Sequence, residues 1–332
     1  MTAFSISIVI VNYNSGARLA KCLKAIGSQT FRDFEVLVFD NGSSDESLTG
    51  LPDDLPLTII RSGENLGFAA GNNRAVEQAS GDWIAFLNPD AYPAPDWLEA
   101  LMAATERYPH IDAFGSTQVD ADNRDILDGA GDAYHVFGIA WRGGFGQSVE
   151  TAPQTGTCFA PCAAAALYRR SVFVDLGGFD ERFFCYGEDV DLGFRLRLAG
   201  GEVVQLREAV VYHEGSDITG RYSPFTVYHG NRNRIWGWFL NMPLRFAIPL
   251  LPFQVAASAY LLVRAMMTGS GGAYARAMRD GYGQLPTILK TRGPRQRNRK
   301  VTIAGLAKAL TWSPMKVSTR AVTVRPIERV DP

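Results

Sequence analysis

Four apolar segments, each followed by polar residues, set the pattern of the first hundred residues. They are nearly continuous and rich in β-branched residues, which predicts strands covered on both faces. They span residues 5–11, 34–40, 57–61 and 82–88. Helically spaced apolar residues predict helices at residues 19–26, 45–51, 68–80 and 97–108. Such alternation predicts a parallel sheet with helices on both faces, whose ligands bind at the carboxyl ends of the strands.

The rest of the chain contains a weakly patterned segment, a second ordered segment and an apolar segment. Residues 120–157 are rich in Gly, Asp and Thr, which predicts an irregular insertion or lid over the sheet. Order resumes at residues 161–168, with helices predicted at 171–176 and 189–199 and strands near 202–206 and 209–212. We expect a first domain at residues 1–240 and a C-terminal extension at residues 241–332.

Charge is divided unevenly along the chain. The 33 basic and 34 acidic residues give a net charge of −1, which excludes a general attraction to nucleic acid. Residues 1–263 nevertheless carry −12 and residues 264–332 carry +11. The four cysteines fit neither a disulfide framework nor a zinc ribbon, and the N-terminus does not resemble a signal peptide. We therefore expect a cytoplasmic protein.

Polar residues follow each of the four strands predicted in the first hundred residues. They are Asn12 and Tyr13, then Asp40, then Asn65 and Gly67, then Asn88 and Asp90. Turn formation or helix capping explains any one of these positions. Four in succession, at equivalent ends of one sheet, favour a ligand site instead, since turns alone would not concentrate carboxylates and amides on one edge.

Six segments together resemble the motif series of the inverting, family-2-type glycosyltransferases with a GT-A fold. They are residues 8–14 (IVIVNYN), 40–45 (DNGSSD), 65–72 (NLGFAAGN), 87–91 (LNPDA), 177–180 (GGFD) and 186–192 (YGEDVDL). Within that family they most resemble the bacterial rhamnosyltransferase-like enzymes of surface polysaccharide assembly. The resemblance covers about residues 5–240. It implies a GT-A fold, Rossmann-like with a mostly parallel central sheet, and leaves the C-terminal helical extension outside.

The resemblance also implies a divalent cation, because the diphosphate of a nucleotide-sugar must be neutralised as it leaves. Asp90 is the expected ligand of Mg²⁺ or Mn²⁺. The family's metal motif is usually Asp-x-Asp, so Asn88 in its first position predicts weaker metal binding. His213 matches the family's late metal-binding histidine, and a hydrogen-bonded structural histidine is the alternative.

The donor site implied by the resemblance uses residues from several strand ends. They are Asn12, Tyr13, Asp40, Asn65, Gly67, Asn72 and Asn88. Asp40 lies where the family accepts a hydrogen bond from the ring N–H of uracil or thymine, which does not distinguish UDP-sugars from dTDP-sugars. Glycine at position 67 would allow close backbone approach to the nucleotide, although loop closure also explains such a residue.

Glu188 and Asp189 match the family's acidic pair. The resemblance assigns proton abstraction from the acceptor hydroxyl to Asp189 and a positioning role to Glu188. Helix capping is the alternative, and a helix N-terminus predicts an ionised Asp189 of lowered basicity. Asp191 is expected to be structural. A single displacement would invert the anomeric centre.

Residues 246–263 are uncharged and mostly apolar. A helix of this length measures about 27 Å, slightly less than a bilayer core. Pro249 and Pro252 are expected to break or kink it, leaving residues 253–267 as the stronger helix. The basic tail that follows favours peripheral docking on an anionic membrane surface, with a homo-oligomer interface as the alternative.

The leading hypothesis is a metal-dependent inverting glycosyltransferase at the inner face of the plasma membrane. It would move a sugar, expected to be rhamnose from dTDP-rhamnose, to a lipid-diphosphate-linked saccharide. A sugar-phosphate nucleotidyltransferase would instead carry a Gly-rich loop after the first strand, where this chain has Asn12 and Tyr13. A non-catalytic carbohydrate-binding or assembly protein of the same fold is supported only by Asn88.

Overall fold

The computed structural model describes residues 4–215 and 223–327. The strands are β1 (Ile6–Asn12), β2 (Phe34–Asp40), β3 (Leu57–Arg61), β4 (Trp83–Leu87), β5 (Ala91–Pro93), β6 (Ala113–Asp120), β7 (Leu127–Gly129), β8 (Asp132–His135), β9 (Ile139–Arg142), β10 (Gly156–Cys158), β11 (Ala165–Arg169) and β12 (Val203–His213). The α-helices are α1 (Arg18–Gly27), α2 (Gly67–Val76), α3 (Trp97–Arg107), α4 (Arg170–Asp175), α5 (Glu188–Leu198), α6 (Pro224–Asn241), α7 (Leu244–Met267), α8 (Gly271–Gly283), α9 (Leu285–Ile288), α10 (Arg292–Arg297), α11 (Ile303–Ala309) and α12 (Pro314–Ser318). Short 3₁₀ helices lie at Val149–Thr151, Glu181–Phe183 and Leu289–Thr291.

The central sheet has the strand order β10-β12-β6-β11-β4-β1-β2-β3. Strands β3, β2, β1 and β4 are mutually parallel, as are β6 and β12, and antiparallel β11 joins the two groups. Along β1, Ile8 and Ile10 pack towards α1 and α3, whereas Val9 and Val11 pack towards α2 and α5. A strand buried on both faces needs apolar residues at every position, which explains the continuous run. The predicted α/β fold is confirmed.

Two elements predicted in the first hundred residues differ from the structure. The edge strand β3 is only partly covered, and Thr58 is exposed. No helix forms at residues 45–51, which the structure describes in full. Instead, the Ser43 hydroxyl accepts a hydrogen bond from the Asn14 N–H (3.0 Å), and the Asp45 carboxylate accepts one from the Gly16 N–H (2.8 Å). These side chains stabilise the loop after β1, so they are not available to begin a helix.

Residues 120–157 are more regular than predicted. The segment contains β7 and the β8–β9 hairpin, and most of its hairpin residues are buried. The two strands predicted near 202–206 and 209–212 are one strand, β12, with an irregularity between Leu206 and Val210. The prediction of an irregular lid is therefore wrong for the part of this segment that forms strands.

Helix α6 crosses the predicted boundary at residue 240, and the extension packs back on the first domain. Arg325 pairs with Thr157 through two backbone hydrogen bonds of 2.7 and 2.9 Å. In the tail, Arg295 donates hydrogen bonds to the carboxylates of Asp180 and Asp191. Part of the tail's positive charge is therefore bound internally, and docking of the tail on a membrane stays a prediction.

Helix α7 runs unbroken through Pro249 and Pro252, so the predicted break is wrong. Proline has a helical φ, and each one removes a hydrogen bond without ending the helix. Among the described helices, α7 alone is long and apolar enough to cross a membrane, with 24 residues, a mean hydropathy of 1.8 and 17% of the apolar window buried. Its two buried side chains, Gln254 and Ser258, are polar.

Candidate active site

A cleft of about 720 Å³ opens at the carboxyl ends of β1, β2, β3 and β4. The predicted site residues that line it are Tyr13, Asn65, Gly67, Asn88, Asp90, Glu188, Asp189 and His213. The strand order explains this convergence, since parallel strands end on the same edge of the sheet. Eight of the eleven predicted site residues therefore lie on one continuous surface.

Asn12, Asp40 and Asn72 do not line the cleft. Asn12 is fully buried, and its side-chain amide donates hydrogen bonds to Asp40 Oδ1 (3.0 Å) and Ser47 Oγ (2.9 Å). Asn72 donates to the Phe68 carbonyl (2.8 Å), one turn earlier in α2. In this structure these residues join neighbouring strand ends or stabilise a helix, and their donor-binding roles stay predictions.

Gly67 and Asn65 are held by Asn41, a residue that sequence reasoning did not single out. The Asn41 side-chain amide donates to Asn65 Oδ1 (2.9 Å) and to the Gly67 carbonyl (3.1 Å). Gly67 has φ +87°, and a Cβ there would lie 2.6 Å from the Phe184 carbonyl oxygen. Glycine is therefore required at position 67, because the backbone of Phe184 approaches it closely. Within the described residues, it is the chain itself that makes this close approach.

Within the described residues, one part of the cleft contains polar atoms without hydrogen-bond partners, from Asp90, Asn88 and His213. The pairing of β5 with β12 sets Ala91 opposite His213, which places Asp90 beside the imidazole at 3.3 Å. Asp90 Oδ1, Asn88 Oδ1 and His213 Nε2 are buried and have no hydrogen-bond partner among the described residues. Carboxylate, amide and imidazole groups are suitable ligands for a divalent cation, so the donor set fits Mg²⁺ or Mn²⁺.

Asp128, from the segment predicted to be irregular, orients His213. Its carboxylate lies 2.7 Å from His213 Nδ1 and also pairs with Arg142. Burial lowers the pKa of His213, but the hydrogen bond with Asp128 and the neighbouring Asp90 raise it to about 9. A carboxylate on Nδ1 fixes the ring so that Nε2 faces the cleft, as at many metal-binding histidines.

The acidic pair lies at the start of α5, after Gly187 in the left-handed conformation. Asp189 accepts hydrogen bonds from the backbone N–H groups of Ala163 (3.1 Å) and Val190 (2.8 Å), whereas Glu188 Oε2 is buried without a partner among the described residues. Burial raises the pKa of Asp189 and raises that of Glu188 well above its usual value. The expectation of lowered basicity at Asp189 is wrong, because burial outweighs the helix N-terminus.

Asp132 and Cys162 lie beside Asp189, with their potential metal-binding atoms within 4.8 Å of one another. Burial raises the pKa of the Cys162 thiol to about 12, so it stays protonated. The Arg142 guanidinium already supplies positive charge to this cluster. These features make the cluster a poor cation site compared with Asp90 and His213.

Comparisons with known proteins identify the family. Residues 7–177 match glycosyl transferase family 2. The chain is 30% identical over 294 residues to the N-acetylglucosaminyl-diphospho-decaprenol L-rhamnosyltransferase of Mycobacterium tuberculosis H37Rv, covering 79% of this chain and 94% of the relative. It is also 30% identical over 222 residues to the O-antigen biosynthesis protein RfbC of Myxococcus xanthus, covering 64% of this chain and 17% of that protein.

Solved structures show the same fold. A mannosyltransferase from Pyrobaculum calidifontis, in complex with GDP-Man and Mn²⁺, has a TM-score of 0.53 at 18% identity and covers 93% of this chain and 88% of its own. S. aureus TarS 1–349, in complex with UDP-GlcNAc, has a TM-score of 0.53 at 17% identity, with 93% of both chains covered. The chain belongs to glycosyl transferase family 2 and is a glycosyltransferase with a GT-A fold.

Proposed function

We propose that this enzyme transfers rhamnose from dTDP-rhamnose to a lipid-diphosphate-linked GlcNAc, with inversion at the anomeric carbon. The observation that carries the proposal is the single cleft that contains both the unpartnered atoms around Asp90 and the acidic pair at Asp189. The name and 30% identity of the mycobacterial relative support rhamnose as the sugar and a GlcNAc-diphospho-lipid as the acceptor. UDP-sugars are the alternative donors.

Asp90 and His213, with the side-chain oxygen Oδ1 of Asn88, would hold Mg²⁺ or Mn²⁺. When bound, such a cation neutralises the nucleoside diphosphate as it leaves. Asp128 keeps His213 Nε2 directed into the cleft, so the ligand position is set before donor arrives. Since only one charged carboxylate faces the cation here, we expect metal binding to be weaker than at a site with two carboxylates.

Asp189 would accept the proton of the attacking acceptor hydroxyl on a carboxylate oxygen. Two backbone N–H groups orient this carboxylate and favour its ionised form, so it ionises before Glu188, whose pKa is raised further. Glu188 holds its proton more readily than Asp189 and, when protonated, would donate a hydrogen bond. A base whose pKa is raised towards neutrality is better matched to proton abstraction than an ordinary aspartate.

The experiment that tests the function incubates the full chain with dTDP-rhamnose, a short-chain GlcNAc-diphospho-polyprenol and Mn²⁺, followed by mass spectrometry of the lipid. We expect a product heavier by one deoxyhexose residue, lost in Asp90→Ala. A panel of UDP-sugars tests the alternative donors. Donor binding without transfer to any acceptor would contradict the proposal and favour a carbohydrate-binding protein.

A lipid acceptor requires access to a membrane, and we propose that α7 provides it on the cytoplasmic side. The helix directs Gln254 and Ser258 inward, where both bind the Tyr282 hydroxyl (2.9 and 3.0 Å). Nine of its large apolar residues are exposed, namely Leu244, Ile248, Leu251, Phe253, Val255, Tyr260, Val263, Met266 and Met267. Exposed arginines at positions 245 and 264 lie near the two ends of the helix and suit anionic headgroups.

Co-sedimentation with anionic vesicles tests this surface. Ile248→Gln, at a side chain that is 70% exposed, should weaken binding about tenfold, because the apolar side chain would no longer enter the membrane. Val174→Gln, at an exposed position of α4, is the matched control and should bind normally. If the intact chain stays in solution at low salt, α7 is better assigned to a homo-oligomer interface.

A further inference from the structure

A second cavity, of about 260 Å³, lies beside the cleft. Ala140, Gly187 and Val190 line both spaces, so the two are neighbours. Gly187 directly precedes the acidic pair, and Leu261 of α7 lines the far part of the cavity. The cavity therefore connects the proposed base with the helix proposed to contact the membrane.

Arg234, on α6, contributes unused hydrogen-bond donors to this cavity. Its Nη2 donates to Ser258 Oγ (2.7 Å) and Tyr274 Oη (3.3 Å). Its Nε and Nη1 are buried and have no partner within residues 4–215 and 223–327. Leaving the N–H groups of a guanidinium buried and unpaired is costly, so they are expected to meet an acceptor that the chain itself does not supply.

The carboxylate of Asp191 could accept such hydrogen bonds, but it already has other partners. Asp191 lines the same cavity, but its oxygens accept from Arg195 Nε (2.8 Å), Arg295 Nη1 (2.5 Å) and Asn241 Nδ2 (2.6 Å). The Tyr134 hydroxyl also lines the cavity and is also buried without a partner among the described residues. Within the part of the chain that the structure describes, the cavity thus presents a positive charge and a hydroxyl donor with no unpaired negative charge, which favours an anion.

We propose that this cavity binds the diphosphate of the lipid-linked acceptor, with Arg234 and Tyr134 as its ligands. The inference rests on the proposed function, since it names the subsite for that acceptor. A guanidinium matches phosphate oxygens through paired N–H groups. With the diphosphate here, its sugar extends past Gly187 towards Asp189, and its lipid passes Leu261 to the exposed surface of α7.

Calorimetric titration of the full chain in detergent micelles tests the subsite, with geranylgeranyl diphosphate as the probe. Arg234→Gln should weaken binding about tenfold or more, the effect of losing hydrogen bonds to a charged group, and leave dTDP binding in Mn²⁺ unchanged. Arg276→Gln, at an exposed position of α8, is the matched control and should bind as the wild type does. Ser258→Ala removes a partner of Arg234 without removing its charge and should retain binding.

Tyr134→Phe provides a second test of the subsite if Arg234→Gln does not fold. The ring packs on Phe159 and Phe194, and this variant deletes only an unpartnered hydroxyl, so the melting temperature should not fall. We expect it to weaken diphosphate binding several-fold. Normal probe binding by both variants would overturn the inference, and an equal loss of dTDP binding would assign the cavity to the donor. Failure of rhamnosyl transfer would appear in the separate transfer assay and would leave probe binding intact.

Discussion

The first turn of α5 contains acidic residues in two contrasting environments. Asp191 is fully enclosed, but Arg195, Arg295 and Asn241 occupy its oxygens, and its pKa is lowered despite burial. Glu188 and Asp189, one turn away or less, make no ion pair among the described residues and have raised pKa values. Glu188 is buried, and Asp189 is partly buried at the cleft.

The difference shows that burial alone does not determine what a carboxyl group can do. A buried carboxylate with two cationic partners is held ionised and contributes to stability. A buried carboxyl without such partners keeps a proton more readily, which costs stability but allows proton transfer near neutral pH. On one helix, Asp191 is therefore held by cationic partners, as expected of a structural residue, whereas Asp189 lines the cleft and stays the proposed base.

The largest expected effect is on stability. Asp191→Asn leaves the buried Arg195 without its charge partner and leaves Arg295 with Asp180 as its remaining one, so it should lower the free energy of unfolding by about 3–5 kcal/mol. In the wild type, this contribution is present above the ordinary pKa of an aspartate and is lost as the pH falls through the lowered pKa of Asp191. Denaturant titration measures the loss, and Asp175→Asn, at an exposed position, is the control. A loss below about 1 kcal/mol would show that Asp191 does not have a structural role.

Asp189→Asn should leave stability close to that of the wild type and reduce turnover by roughly 10² or more, the effect of losing a general base. The amide can still accept one of the two backbone hydrogen bonds, so donor binding should be retained. Single-turnover kinetics with saturating donor and acceptor measure the chemical step. Activity above about a tenth of the wild-type rate would move the base to another residue, with Glu188 the next candidate.

Arg295→Gln should weaken the structural cluster less than the loss of Asp191 does, because Asp191 keeps Arg195 and Asn241. We expect the free energy of unfolding to fall by about 1.5–3 kcal/mol, as for hydrogen bonds to charged groups. Arg297→Gln, exposed on the same helix, is the matched control. If both variants have wild-type stability, the attachment of the C-terminal extension through Asp191 is not stabilising.

The smallest expected effect has the opposite sign. Glu188→Gln removes a buried carboxyl whose raised pKa makes the wild type lose stability as the pH rises above the usual pKa of a glutamate. The variant should gain about 0.5–2 kcal/mol at pH 8, and the gain should disappear below pH 4. Thermal unfolding across this pH range measures it. A variant less stable than the wild type at pH 8 would show that the ionised Glu188 has a partner.

The sequence was sufficient for β1, β2 and β4 and for the residues at their ends, because strands buried on both faces leave a strong apolar pattern. It also located β3, although that edge strand is only partly covered. It was not sufficient for Asp128, Asp132 and Arg142. These residues lie in or beside strands of three or four residues, which are too short for a recognisable period. The raised pKa of Asp189 could not be predicted either, since it depends on burial by segments distant in sequence, and neither could the internal pairing of Arg295.

If Asp189 takes the proton in a single displacement, the transferred sugar must have the anomeric configuration opposite to that in the donor. The direct measurement is the NMR spectrum of the isolated product, in which the anomeric one-bond carbon–proton coupling reports the configuration. We predict inversion relative to the nucleotide-sugar. Retention would require a covalent glycosyl intermediate and would contradict Asp189 as the base of a one-step transfer.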